Sequence, residues 1–425
     1  MFEEQPLGCL VKRHIGGGTP SRQMKSFWKG PIPWASVKDF KDDQVSLSET
    51  EEYISPEGLS ASASNLIPEN TVVICSRMAV GRAAITALPI AINQDLKALF
   101  ARDGMDERYL LRLLHWVKVE AEKKAVGSTV KGIRIADLLA LEVPIAPEDE
   151  QPAIANILDT LDTQIRQTEA IIAKLQQVKQ GLLHDLLTRG IDENGQLRPP
   201  CEQAPELYKE SPLGWIPKEW RVSAASEFCT GIIDCKNRTP PESPDDYAVI
   251  KTSNIKQGVL IEDGLTYTDE RSYQIWTARG EPKAGDVVIT REAPIGESFI
   301  IEPTMPKMCL GQRMMLYRPD LQKARPEFLH LSIMFELTQR RLLDLAGGST
   351  VGHVRVGDVR DFLFSLPETQ EQRRIEKYAG NIKGRLSFEL LELQKLKKQK
   401  AGLMDDLLTG RVRVTELIEQ QHQAS

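Results

Sequence analysis

The run Gly127-Ser-Thr-Val-Lys-Gly-Ile-Arg-Ile-Ala-Asp137 returns as Gly348-Ser-Thr-Val-Gly-His-Val-Arg-Val-Gly-Asp358, so position 127 repeats at position 348, an offset of 221. At the same offset Glu150-Gln151 meets Glu371-Gln372, Ile154 meets Ile375, and Gly181-Leu-Leu-His-Asp-Leu-Leu-Thr188 meets Gly402-Leu-Met-Asp-Asp-Leu-Leu-Thr409 without a gap. Two copies of about 190 to 220 residues are too large for solenoid units. The chain is therefore expected to be two similar halves, each a domain followed by a helix.

Upstream the likeness loosens. Val72-Val-Ile-Cys-Ser-Arg77-Met-Ala-Val-Gly81 matches Val287-Val-Ile-Thr-Arg291-Glu-Ala-Pro-Ile-Gly296, and Asn93-Gln94 matches Gly311-Gln312, with an offset of 215 at Val72, 214 at Arg77 and 218 at Gln94. Insertions and deletions there, beside a gapless neighbour, suggest a variable reading region attached to a geometrically fixed connector.

Within the gapless part Ile154, Leu158, Leu161, Ile165, Ile172, Leu175, Leu182 and Leu186 follow alternating steps of four and three, with Thr168 and Lys179 filling two of the positions. That is a heptad seam. The second copy repeats it with Ile375, Ala379, Ile382, Leu386, Leu393, Leu396, Leu403 and Leu407, interrupted at the matching Glu389 and Lys400. An apolar seam cannot stay in water, and the same chain supplies a second helix of equal length, so the pattern predicts an intramolecular two-helix coiled coil whose polar interruptions fix its register. The alternative is that each helix packs only on its own globular domain. Each is expected to begin near Glu148 or Thr369 and stop near Gly190 or Gly410, and roughly 40 residues at 1.5 Å each give about 60 Å. Run antiparallel, the helices would relate the two domains by a pseudo-twofold axis. One turn of B-DNA is about 34 to 36 Å, so such a rod would space two separated half-sites.

Residues 7 to about 140 and 215 to about 361 read as mixed α and β, with strand-like runs at Thr71–Cys75 and Asp286–Thr290 and helical patches at Glu107–Glu122 and Pro326–Leu345. The expected fold class is α+β. The boundaries are a first recognition domain over 1–147, a spacer helix over 148–189, a linker over 190–219, a second recognition domain over 220–368, a second spacer helix over 369–410 and a tail over 411–425. Gly190, Gly195, Pro199, Pro200, Pro205, Pro212 and Pro217 mark the linker as mostly loop.

Composition narrows the function classes. With 425 residues, 41% hydrophobic and 27% charged, the chain can fill two to four cores without metals or disulfides. A net charge of −6 argues against simple coating of nucleic acid, so any DNA surface must be local. The longest apolar runs fall far short of the roughly 20 residues of a membrane helix. Met1–Leu10 carries Glu3 and Glu4 and no export pattern, which predicts a cytoplasmic protein. Cys9, Cys75, Cys201, Cys229, Cys235 and Cys309 form no C-x-x-C pair and are expected to be buried free thiols. No P-loop ending, Asn-Pro-Pro-aromatic run or paired His at metal spacing is present, so neither a cofactor nor a metal is expected on this chain.

Taken together, several segments resemble the specificity subunits of type I restriction-modification enzymes over nearly the whole chain. They are Gly17-Gly-Thr-Pro-Ser21 followed by Ile32-Pro-Trp-Ala-Ser-Val-Lys-Asp39, then Gly214-Trp-Ile-Pro-Lys-Glu-Trp220, the Glu-Gln pair opening each long helix and the Gly-Leu-x-x-Asp-Leu-Leu-Thr ending. The resemblance implies two target-recognition domains, each reading half of an asymmetric, interrupted site in double-stranded DNA, without catalysis by this chain. It also implies partners: two methyltransferase subunits docked on the helices and adjoining surfaces, and motor-nuclease subunits for cleavage. Those partners, not this chain, would use S-adenosylmethionine, ATP and Mg. The first domain departs from the pattern by starting abruptly at Pro6-Leu-Gly-Cys-Leu-Val, so its first strand is expected to be shortened.

Base reading needs forked or bifunctional side chains on loops, while Ser, Thr, Lys and backbone amides mostly hold phosphates. In the first domain Gly17, Thr19, Ser21, Ser36, Lys38, Arg77, Arg82 and Gln94 fit, with Ser128, Thr129 and Lys131 as a second loop. The parallel set is Lys236, Asn237, Arg238, Lys251, Ser253, Asn254, Arg291, Gln312, Arg313, Ser349, Thr350, His353 and Arg355. For each Arg or Lys the competing role is a surface ion pair, and for the Gly-Ser-Thr loops a turn or helix cap. Two other functions stay open from residues alone: a coiled-coil adaptor whose end domains bind protein, and a nuclease with an unfamiliar site.

Overall fold

Apolar at all four positions, Val72–Cys75 has no face to give to water, and it lies fully buried as a central strand. The computed structural model describes residues 1–127, 130–347 and 352–424. It divides into two units, Met1–Ala170 with Leu390–Ser425, and Ile171–Glu389. The division falls in the middle of both long helices, not at their starts.

The first unit contains β1 (Glu3–Pro6), β2 (Val11–Gly16), β3 (Val72–Cys75), β4 (Ala83–Thr86), β5 (Leu96–Ala101), α1 (Glu107–Trp116), β6 (Glu142–Ile145) and the first half of α2 (Gln151–Thr188). Its main sheet runs in the order β2-β5-β3-β4, with Ser46–Leu47 added in parallel beyond β4. A second sheet is built on Ile32–Ala35, antiparallel to Glu52–Ile54 and parallel to Ile90–Ile92.

The second unit holds β7 (Arg221–Ala224), β8 (Cys229–Asp234), β9 (Val287–Arg291), β10 (Ile295–Ile300), β11 (Met314–Pro319), α3 (Pro326–Ile333), β12 (Leu363–Leu366) and the first half of α4 (Thr369–Thr409). Its main sheet has the same order, β8-β11-β9-β10. Its second sheet repeats the plan, with Tyr247–Ile250 antiparallel to Thr266–Thr268 and parallel to Met308–Leu310. One α+β design is used twice.

In both units the long helices pair antiparallel. In the first, Lys400 Nζ lies 2.8 Å from Asp162, Lys397 lies 2.8 Å from Glu169, and Arg413 holds Glu150, so rising numbers on α2 meet falling numbers on α4. In the second, Leu186 and Leu187 share a core with Ile375 and Ala379. All of the expected seam residues are buried or half-buried, whereas Ile171, Val178, Phe388, Leu390 and Leu391 beside them are exposed. Of the polar interruptions, Lys400 does cross to the facing helix, as a register device should. Thr168 instead bonds the Gln164 carbonyl and Glu389 pairs with Arg385, each within its own helix. Gly190 and Gly410 end the helices with φ of +65° and +70°, a backbone that suits glycine.

Several expectations need correction. β1 is not shortened: it has four residues, pairs with β6 and matches β7, which pairs with β12. The linker carries a hairpin, Tyr208–Ser211 with Gly214–Pro217, hidden in the sequence by the prolines that bound it. Each helical patch breaks once, giving Lys118–Lys124 after α1 and Glu336–Leu345 after α3. All six thiols are free, but Cys9 is exposed and Cys201 and Cys229 are half-buried.

Each unit carries one histidine on its domain helix that is withdrawn from water, His115 buried and His330 half-buried. His115 Nε2 sits 3.0 Å from the Ala83 carbonyl, and His330 Nδ1 sits 2.9 Å from Ser298 Oγ. Burial lowers both, His330 from its ordinary 6.5 to about 4. The unfolded chain then binds protons that the folded one refuses, so this stability is full above about pH 6.5 and is lost as pH falls toward about 4. Thermal melts should show the midpoint dropping across that window, with a shallower drop for the pair His115→Gln and His330→Gln. An identical pH dependence in that variant would count against the assignment.

Candidate nucleic-acid interface

Strand pairing decides which loops meet. In the first unit Gly16 pairs with Lys97 and Cys75 with Leu96, so the ends of β2 and β3 and the start of β5 share one end of the sheet. Three segments emerge there: Gly17–Ser21, Ser76–Arg82 and Asn93–Asp95. A fourth joins through Gly132, bridged to Arg77, and through Lys131, whose carbonyl accepts from Met78 N at 2.8 Å. The second unit repeats this. Asp234 pairs with Met315 and Thr290 with Met314, while Val354 N donates to the Arg291 carbonyl at 3.0 Å.

Much of the expected set is thereby brought together: Gly17, Thr19, Ser21, Arg77, Gln94 and Lys131 in one unit, and Lys236, Asn237, Arg238, Arg291, Gln312, Arg313, His353 and Arg355 in the other. Ser128, Thr129, Ser349 and Thr350 lie outside the described residues. Backbone strain marks the same edges. Met78, Ala293 and Arg313 have φ of 64°, 44° and 71° without being glycine, a cost that persists only where surrounding structure imposes it.

The side chains divide by how fully they are already used. Thr19 Oγ1 donates to Gln94 Oε1 at 2.5 Å, which orients an exposed carboxamide. Arg77 is half-exposed, 3.5 Å from Asp95. Lys131, Lys236 and Arg238 have no carboxylate partner among the described residues. Lys236 and Arg238 stand 4.8 and 5.5 Å from the ring centre of Trp276, whose Nε1 donates to the Arg238 carbonyl at 2.6 Å. The first unit has a related pair, Arg22 at 3.5 Å over Trp28, but there Glu52 also holds the guanidinium.

Several expected residues, Gly17 and Arg291 on the edges among them, are committed to holding the fold or its surface pairs. Gly17 is required because a Cβ would collide with the Ile92 carbonyl. Arg82 is held by Asp42 and the Phe40 carbonyl. Arg291 reaches the Val354 carbonyl and Asp234. Ser36 caps Val37–Asp39, and Asn254, buried, accepts from Lys251 N. Lys251 pairs with Glu242, and Ser253 is exposed next to it. Lys38 lines a cleft of about 970 Å³ with Lys397 and Lys400, and none of the cleft's lining residues belongs to the four loops. The recurrence of Arg77 and Arg291 across the two halves thus has a structural side: both tie the β-turn to the fourth loop. Trp276 escapes sequence reasoning because it lies 38 residues along the chain from the loop residue it holds, whereas Trp28 is only seven residues from Ser21 and carries no repeated motif to mark it.

Among the described residues, no cluster of three or more His, Cys, Asp or Glu is arranged to hold a metal. No helix among the described residues is long and apolar enough to cross a membrane.

The sequence pattern of the type I restriction modification DNA specificity domain matches residues 3–177 and again 217–387. The chain is 22% identical over 415 residues to the MjaIX type I restriction enzyme specificity subunit of Methanocaldococcus jannaschii, covering 95% of this chain and 91% of that one. It is 33% identical over 168 residues to the EcoR124I/EcoR124II specificity subunit of Escherichia coli, which spans 38% of this chain and 41% of that one. In fold it is similar to the S subunit of a type I restriction-modification system from M. genitalium, with a TM-score of 0.57 at 14% identity over 96% of each chain. A chain solved in work on assembly and conformational transition of a type I system gives 0.58 at 14% identity, covering 97% of this chain and 98% of that one.

Replacing Lys236 and Arg238 by Ala should lower duplex affinity about tenfold and reduce the salt slope by about two, one per lost phosphate contact. The thermal midpoint should stay within the small range of surface changes. An unchanged salt slope in a binding titration would remove these residues from the interface.

Proposed function

Because this chain belongs to the family of type I restriction-modification DNA specificity proteins, we propose that it reads a bipartite, asymmetric duplex site, one half-site with each unit. The chain is the recognition component of such a system and not its catalyst, and family membership, rather than any missing motif, decides against the adaptor and nuclease readings. The observation that carries the bipartite reading is that one four-loop edge is built twice, on sheets whose four corresponding strands run in the same order, with different side chains. Identical construction supplies the same docking geometry, and different side chains supply different half-sites. In the first unit a hydroxyl-oriented carboxamide, Gln94, leads; in the second, two cations on an indole do.

The finer assembly follows from the same reading. Two methyltransferase subunits and motor-nuclease subunits join the chain and act where it places them, in the cytoplasm with the host DNA. The paired helices act as the spacer, which fits their buried seams and the 38 and 41 residues of α2 and α4.

Selection from a random duplex library, with the purified chain alone and with its methyltransferase subunit, should enrich two short blocks separated by a fixed gap. Enrichment of no gapped motif in either case would sink the reading. Inserting one heptad at matching places in both helices adds about 10 Å, or about 3 base pairs of gap, while both blocks keep their sequence. A changed block with an unchanged gap would contradict the spacer role.

A further inference from the structure

The Glu-Gln pairs that open the long helices repeat identically outside the loops, and both glutamines are fully buried. With no exposed surface, neither presents its carboxamide to a duplex, so DNA contact does not account for them. Gln372 Nε2 donates to the carbonyls of Pro367 at 2.9 Å and Lys323 at 3.0 Å, and its Oε1 accepts from Arg325 N at 2.8 Å. Gln151 Nε2 donates to the Ala146 carbonyl at 2.9 Å, and its Oε1 accepts from Asp106 N at 3.2 Å. Asp106 and Arg325 are the N-cap residues of α1 and α3.

One carboxamide therefore ties the start of the long helix to the end of the segment leading into it and to the start of the domain helix. A buried amide with these bonds cannot turn without orphaning a backbone group. Ion pairs extend the joint along the first turns of the long helix. Arg325 reaches Glu376 at 2.7 Å in one unit. In the other, Arg108 lies 3.2 Å from Asp159, and Arg112, with no exposed surface, holds both Asp159 and Asp162. α1 packs in the same core as β3, and α3 in the same core as β9, the strands that carry reading loops.

We propose that Gln151 and Gln372 are positioning residues that fix the angle between each reading edge and its long helix, and so set how strictly gap length is read. The inference rests on the bipartite reading above. It assigns gap fidelity to the joints as well as to the length of the rod.

The test uses the full-length chain in the assembly that gives the wild-type motif, on duplexes with both blocks fixed and the gap varied by one or two base pairs. For Gln372→Ala, the ratio of binding at the selected gap to binding one base pair away should fall about tenfold, the scale of a lost buried amide contact. Base preferences inside each block should stay as they are, a separation that general loss of stability would not give. Glu376→Gln, which removes the carboxylate charge facing Arg325, should shift the ratio in the same direction and carries the test if the alanine variant does not fold. An unchanged ratio in the folded variant overturns the inference, as does altered base preference within a block. A wild-type chain that selects no gapped motif overturns the bipartite reading and this inference with it, so the two failures are distinct.

Discussion

Two buried carboxylates close the architecture. Glu371, at the start of α4, receives Ile191 N at 2.8 Å and Arg198 at 2.5 and 3.1 Å, from chain that has just left the end of α2, and Trp220 Nε1 at 3.1 Å, from the far side of the linker. Glu150, at the start of α2, receives Arg413 Nε at 3.0 Å and Val414 N at 3.5 Å, from chain that has just left the end of α4. Arg413 holds the Glu150 carboxyl below its usual range. Each carboxylate also sits at a helix N-terminus, where negative charge is favoured. Glu371 and Arg198 are both largely hidden from water, and breaking a buried pair of that kind by removing one partner costs about 3 to 5 kcal/mol. The antiparallel pairing in each unit is thus held by seam burial along the helices and by charge capture at their ends.

The sequence made the duplication, the two long helices and their seams legible, because gapless repetition and heptad steps are local regularities. It did not disclose why Glu-Gln repeats, since the partners of Glu371 lie about 150 to 180 residues away in sequence. The linker hairpin was obscured by Pro and Gly, which mark turns without saying what lies between them. Part of the candidate site was legible as residue types on matching loops. Arg82, Arg291 and Asn254 show the limit of that method: a polar side chain on a loop is as readily spent on holding the loop as on touching a ligand.

The two edges share a frame and differ in chemistry. β2 and β8 feed loops that end in Thr19-Pro20 and Thr239-Pro240, yet the first passes through glycines and the second through Lys236, Asn237 and Arg238. An acidic chain can bind a polyanion when its cations are gathered at such edges, and Lys236 and Arg238 are held in place by Trp276 instead of by carboxylates. Left-handed residues at Met78, Ala293 and Arg313 fix the turn shapes on which those side chains ride.

The central claim is that each four-loop edge faces its own half-site. Site-specific photocrosslinking tests it directly, with a crosslinking residue placed at Gln94 in one sample and at Asn237 in another, on the duplex the chain selects. The account predicts that position 94 labels only one sequence block and position 237 only the other, with the gap unlabelled by both. Labelling of one block from both positions, or of neither, would contradict it.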